Sequence, residues 1–415
     1  MRVIVIGAGM GGLTLAHALH RAGVDVVVHD RDASAGATGG YRLALSAEAC
    51  AALRRHLSPT HYQALQASSV PTETVHRLAF ADHRLRALSV TSWDPTEEAL
   101  LIGRAPLRRL LAQGLGDRVR FGAAYVSHEI RDDGRVVASF DDGSTDVGDV
   151  LVGADGARSR VAAALAGHPT SAPTGFGGLA ARTPLDATTR ALLPAVLEGG
   201  AALALGPDGT GMFMTKHDAS TRAAVDPSTC REIPAITEPP AVIWSLIATD
   251  ALMPPEATRA LDGRRLLDFT QHALHAWPQQ LRDLVAAADP TTAAYYGFHA
   301  ADPDAELTPW AAGPVTALGD AVHAMPPTAG SAASTAIRDA DHLAAELVAA
   351  RDGTSTIPLA VLRFHKTMAT YAPERVRASL KPLRAIEHLS HPAVRTAARV
   401  GLPALAAVHR LRQAV

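Results

Sequence analysis

The stretch Val3-Ile4-Val5-Ile6-Gly7-Ala8-Gly9-Met10-Gly11-Gly12 decides how the rest of the chain is read. Its first four residues are an unbroken apolar run, the pattern of a parallel strand buried on both faces. Glycines spaced Gly7-x-Gly9-x-x-Gly12 follow. Leu13 to Ala22 then reads as a helix with Leu15, Ala18 and Leu19 on one face, and Gly23 as its C-cap. Asp25 to His29 is a second strand, ending at Asp30. A strand, a glycine turn and a helix in this order set free N–H groups and the positive end of a helix dipole where a pyrophosphate can sit. Gly7 makes the tight turn, Gly9 lets a phosphate approach the backbone, and Gly12 lets the helix pack on the strand. Met10 and Gly11 complete the predicted phosphate turn. Asp30, 23 residues beyond Gly7, is the acid expected to bind a ribose. This unit alone does not separate NAD from FAD.

The 415 residues lead to an expectation of two or three domains, at about 150 residues each. With 47% hydrophobic and 19% charged residues the chain reads as globular. A net charge of −2 argues against a dedicated nucleic-acid binder. Two cysteines, Cys50 and Cys230, exclude a disulfide scaffold and do not make a zinc site by themselves. The histidines show no metal-ligand spacing, so no metal is expected. No Gly-x-Ser-x-Gly elbow supports serine hydrolysis. The strand pattern beginning at Arg2 leaves no signal-peptide pattern, and no apolar run is long enough to span a bilayer. The expectation is a cytoplasmic enzyme without membrane or nucleic-acid partners.

Further along, residues 31–46 read as loop, Ala47–His56 and Ala105–Gln113 as helices, and Val75–Val90 as a hairpin turning near Asp82. Residues 170–300 read as a separate, mainly β layer, interrupted by helices over Arg264–Ala276 and Gln279–Ala287. Ser334–Ala350 and Pro358–Ala372 read as helices, as does most of the C-terminus.

Two more motifs carry chemistry. Val150-Leu151-Val152-Gly153-Ala154-Asp155-Gly156 is a buried strand running into a sharp turn with an acid. Val315-Thr316-Ala317-Leu318-Gly319-Asp320-Ala321-Val322-His323 leads through Pro326-Pro327 to Gly330-Ser331-Ala332 and a helix. With the N-terminal unit, these resemble the three signatures of the FAD-dependent aromatic hydroxylases, the group A flavoprotein monooxygenases with the p-hydroxybenzoate hydroxylase fold. The resemblance covers about residues 1–350. It implies an α/β chain: a Rossmann-like FAD-binding domain in three parts (1–74, 98–170 and 305–350), an inserted mainly β substrate domain (75–97 and 171–304), and a C-terminal helical extension (351–415).

The resemblance also implies roles. Asp30 and Arg31 would meet the adenosine moiety, and backbone at Val126 the adenine. Arg104 would reach the ribityl-phosphate region, and Asp320 the ribityl chain. Gly330, Ser331 and Ala332 would begin a helix facing the flavin N1–C2=O edge, where reduced flavin carries negative charge. Arg42 would lie between flavin and nicotinamide, and Asp155 belongs to the second signature as a cofactor contact or as a turn former. His323 reads as a structural hydrogen-bonding residue. Phe176, Met212, Met214 and Trp244, with Tyr296 and Phe298, are candidates to line the substrate pocket or to pack the core.

The implied activity is NADH- or NADPH-dependent hydroxylation of an aromatic or polycyclic small molecule through a flavin C4a-hydroperoxide, by a monomer or homodimer. FAD carries this chemistry, so no catalytic side chain is assigned. One departure stands out. Relatives usually continue with Gly-Gln-Gly-x-Asn where this chain has Gly330-Ser331-Ala332-Ala333-Ser334. That change keeps alive the alternative of a non-redox enzyme, such as a cyclase, that uses FAD structurally.

Overall fold

The computed structural model describes residues 1–40, 42–94, 96–206, 209–218 and 225–390. The last part of the expected helical extension, 391–415, lies outside the described residues.

Five parallel strands form one sheet in the order Val315–Ala317, Val150–Gly153, Arg2–Ile6, Asp25–Asp30, Val119–Phe121. Alternation within the first strand explains its unbroken apolar run. Val3 and Val5 enter a core beneath the helices Met10–Arg21 and Ala332–Arg351, while Ile4 and Ile6 enter a second core. That second core lies under an antiparallel trio, Tyr125–Ile130, Val136–Phe140 and Thr145–Gly148. Both faces are covered, so every position must be apolar.

A seven-stranded sheet makes the second layer, in the order Ala294–Ala300, Ala172–Pro184, Ala241–Thr249, Gly211–His217, Gly200–Leu205, Arg77–Asp82, Ala87–Ser92. Its pairs are antiparallel, except that Gly200–Leu205 runs parallel to Arg77–Asp82. The outer face packs under the helices Gly263–Ala273 and Gln279–Ala286 through Leu266, Leu267, Leu281 and Leu284. The inner face meets the helix Ala372–Ser390 through Leu383 and Ile386. Gly211 makes room there for Ile386, since an added Cβ would stand 2.6 Å from the end of its side chain and push it aside.

One stretch differs from its reading as loop. Arg42–Leu45 is a strand, paired antiparallel with Leu100–Gly103 so that Arg42 stands opposite Gly103. Four residues following Gly39-Gly40 carry too little period to announce a strand, and the pairing partner supplies the order. No helix among the described residues is long and apolar enough to cross a membrane.

Candidate functional site

Parallel strands bring their C-terminal ends to one edge of the sheet. That edge gathers the three motifs: Gly7 after the first strand, Asp30 at the end of the second, Asp155 after Val150–Gly153, and Asp320 after Val315–Ala317. Helices follow three of these strands, so their N-termini point to the same edge.

The glycines of the first turn divide by physical role. Gly7 holds a left-handed φ of 109°, and a Cβ there would overlap the Ala154 carbonyl oxygen. A Cβ on Gly12 would overlap the Gly7 carbonyl oxygen, and one on Gly11 would stand 2.6 Å from Leu318. All three are demanded by the chain's own packing. Gly9 is not: its φ is −79°, and the nearest atom to an added Cβ would be Ala154 O at 3.9 Å. Met10 turns its side chain into the core, leaving its backbone in the turn. No side chain caps the helix Met10–Arg21, so its first N–H groups stay available to an anion.

Asp30 is buried and highly engaged. Its Oδ2 accepts from Ala8 N at 2.6 Å and pairs with Arg108 at 3.0 Å, and its Oδ1 accepts from Asp32 N at 2.8 Å. A carboxylate has about four acceptor positions, so one remains for a ligand hydroxyl. Arg108 also donates to Ala8 O at 2.7 Å and to Asp32 Oδ2 at 2.6 Å. It therefore clamps the glycine turn to the acid beside it. Sequence reasoning missed Arg108. The only signal was its place one turn after Arg104 on the helix Arg104–Gln113.

The other predicted residues spread along the same edge. Arg31 and Val126 are exposed. Arg104 opens its helix, is exposed, and has no carboxylate partner among the described residues. Gly40, at φ 98°, makes room for it, since a Cβ there would stand 3.0 Å from Arg104 Cδ. Asp155 accepts from Ser159 Oγ at 2.5 Å and Arg160 N at 2.8 Å, which caps the helix Arg160–Ala166; burial raises its pKa.

Asp320 differs from Asp155 in having an unused acceptor. Its Oδ1 is buried without a hydrogen-bond partner. Burial raises its pKa, against the pull of His323 and Arg104. His323 is fully buried against Asp339, Nε2 to Oδ2 2.6 Å, in keeping with the structural role read from the sequence.

After Gly330, the helix Ala332–Arg351 starts without a side-chain cap. Ser334 Oγ accepts from Ser46 N at 3.0 Å and approaches Ala44 O at 3.4 Å. The serine in place of the usual asparagine thus ties this helix to the strand Arg42–Leu45. Arg42 reaches the second layer, donating to Lys216 O at 2.9 Å and Thr215 Oγ1 at 2.5 Å, and burial lowers its pKa to about 10. Tyr296 hydroxyl accepts from Gly40 N at 2.9 Å. These bonds mark the inner face of the seven-stranded sheet as the one turned to the first layer.

That face corrects the expected pocket lining. Met212, Met214 and Trp244 are wholly enclosed in the outer core, with Trp244 Nε1 donating to Thr183 Oγ1 at 3.0 Å. Strand alternation turns their neighbours inward instead: Phe213 and Thr215, and Ser245 beside Phe213 in register. Phe176 lies with the inner-face cluster and lines a cavity of about 710 Å³ with Thr174, Ala300, Val322 and Leu380.

A family model described as "FAD binding domain" matches residues 1–203 and 255–375. The chain belongs to this family of aromatic hydroxylase-type FAD monooxygenases. It is 29% identical over 383 residues to the dual O-methyltransferase/FAD-dependent monooxygenase elcB of Phaeosphaeria nodorum, covering 82% of this chain and 39% of that protein. It is 29% identical over 357 residues to the chloroplastic zeaxanthin epoxidase of Oryza sativa subsp. japonica, covering 83% of this chain and 48% of that one. The chain thus spans less than half the length of these curated relatives. A provisionally named FAD-containing monooxygenase from Photorhabdus luminescens superposes with a TM-score of 0.77 at 28% identity, covering 94% of this chain and 98% of that one.

The residues present suit the family's cofactor. The orphaned Asp320 Oδ1, the side-chain space at Gly9, Arg104 with no carboxylate ion-pair partner among the described residues, and the uncapped helix at Met10 each leave room for what a dinucleotide would supply.

Proposed function

We propose that the chain is an FAD-dependent monooxygenase that consumes NADH or NADPH and O2 and hydroxylates an aromatic or polycyclic small molecule. The observation that carries this reading is the buried, unpartnered Asp320 Oδ1 in a member of the FAD-binding family. When bound, FAD supplies the hydride acceptance and oxygen activation that no side chain here provides.

The chain's own residues bind, orient and exclude water. The first turn of Met10–Arg21 takes the pyrophosphate, Asp30 the ribose, Arg104 a phosphate, and Asp320 the ribityl chain. The helix start at Ser331 and Ala332 places N–H donors where negative charge gathers on the cofactor. The substrate rests against the inner sheet face, where Phe213, Ser245 and Tyr296 are half-buried. The layers are drawn together there by Arg42 and Tyr296, which favours a site shielded from water.

Heating the purified protein is expected to release FAD rather than FMN, because Asp30 and the glycine turn serve an adenosine half that FMN lacks. With labelled O2, the product is expected to gain one labelled oxygen atom while NADH or NADPH is consumed. A substrate converted with neither label nor nicotinamide oxidation would overturn the monooxygenase reading in favour of a cyclase. The helix at Ala332 keeps its backbone donors, so the Ser331–Ser334 run is expected to retain redox activity.

A further inference from the structure

The turn presenting Asp320 is held by a carboxylate on another helix. Asp339 lies within Ala332–Arg351 and is fully buried. Its Oδ2 accepts from the Gly319 backbone N–H at 2.8 Å and meets His323 Nε2 at 2.6 Å. Gly319 precedes the short helix Asp320–His323 and His323 closes it, so one oxygen ties both ends of the segment that carries Asp320. Gly319 has a left-handed φ of 65°, and a Cβ there would stand 3.1 Å from Ala336 Cβ, so the turn is pressed onto the same helix. The second oxygen, Oδ1, accepts from the Tyr371 hydroxyl at 2.6 Å. Tyr371 stands immediately before the C-terminal helix Ala372–Ser390, and the Arg338 guanidinium lies 3.9 Å from its ring centre.

We propose that Asp339 is a positioning residue for FAD: through Gly319 and His323 it fixes the direction of the Asp320 carboxylate, and through Tyr371 it couples that direction to the docking of the C-terminal helix. The proposal rests on the reading of Asp320 as the ribityl acid. Its strength is geometric. Three donors converge on one enclosed carboxylate, and both of its oxygens are engaged, which stiffens the turn they hold. A binding group held by a locked neighbour keeps its geometry better than one on a free turn.

Charge points the same way. Burial would lower the pKa of His323, but the Asp339 carboxylate overcomes this and raises it. His323 and Arg104 both pull the Asp320 pKa down, and Asp339 opposes them. Without the Asp339 charge, His323 loses its counter-ion, and the loss of its pull on Asp320, larger than the direct repulsion from Asp339 that is lost with it, lets Asp320 hold its proton to higher pH.

The test is FAD release from the holoprotein, followed by flavin fluorescence between roughly pH 5 and 8. Asp339→Asn is expected to weaken FAD binding about tenfold or more, and Tyr371→Phe about threefold. In Asp339→Asn the apparent pKa read from the pH dependence of the FAD dissociation constant is expected to move to higher pH, which a uniform loss of affinity would not cause. A folded Asp339→Asn protein with wild-type affinity and apparent pKa overturns the proposal. If that variant does not fold, Tyr371→Phe decides, and unchanged affinity overturns the proposal. A wild type that holds no FAD removes the ribityl reading as well, and is recognised before any variant is made.

Discussion

Gly9→Ala is expected to leave the apoprotein folded while weakening FAD binding by about 1–3 kcal/mol, roughly 5- to 150-fold. At φ −79° an alanine is unstrained, and its methyl group meets no protein atom closer than 3.9 Å. The space it fills is the space a pyrophosphate would use. Gly7→Ala is expected to do the reverse. Its φ of 109° and its overlap with the Ala154 carbonyl force the first strand away from Val150–Gly153. Strain of about 1–3 kcal/mol and overpacking of about 1–3 kcal/mol both fall on the apoprotein. Denaturant melts of the two apoproteins, with FAD titrations, separate these effects. A Gly9→Ala protein that binds FAD like the wild type would sink the assignment of that space.

Arg108→Met is expected to destabilise the protein by about 3–5 kcal/mol, the usual loss when one partner of a buried ion pair is removed. The methionine matches the length of the side chain but leaves Asp30 and Asp32 without their shared cation, and Ala8 O without its donor. FAD binding is expected to fall with stability, because the glycine turn and the ribose acid share that guanidinium. Arg108→Lys is expected to rescue only part, since one ammonium does not reproduce the fork. Urea unfolding of the apoproteins measures this, and a loss below about 1 kcal/mol would mean the clamp is dispensable.

These two sites show what sequence can carry. The turn at Gly7–Gly12 was legible because its requirements are local: strand, tight turn and helix occupy one continuous stretch. Asp320 was legible for the same reason, being fixed to the end of a buried strand. Arg108 was not, because nothing in Arg104-Ala105-Pro106-Leu107-Arg108 says that this arginine turns inward to Asp30 and Asp32 at the end of a distant strand. Ser334 was legible only as a departure; its bond to Ser46 lies nearly three hundred residues away in sequence. The inner and outer faces of Gly211–His217 were indistinguishable for a further reason. Met212 and Met214 alternate with Phe213 and Thr215, and both sets are covered by protein, so a period of two identifies a strand without saying which side faces the site.

The notch at Gly211 bears on where this protein can be cut. The match to the family model ends at residue 375, which invites a shortened version stopping there. Such a version would lose Leu380, Leu383 and Ile386, which shield Leu203, Phe213 and Ile247. It would also lose the contact of Ser379 O with Thr328 and that of Arg377 with Asp304. The bared strip would make a sticky molecule, prone to clump with its own copies. A working boundary lies beyond Ile386, and any graft that exchanges this end for another must bring its own aliphatic plug.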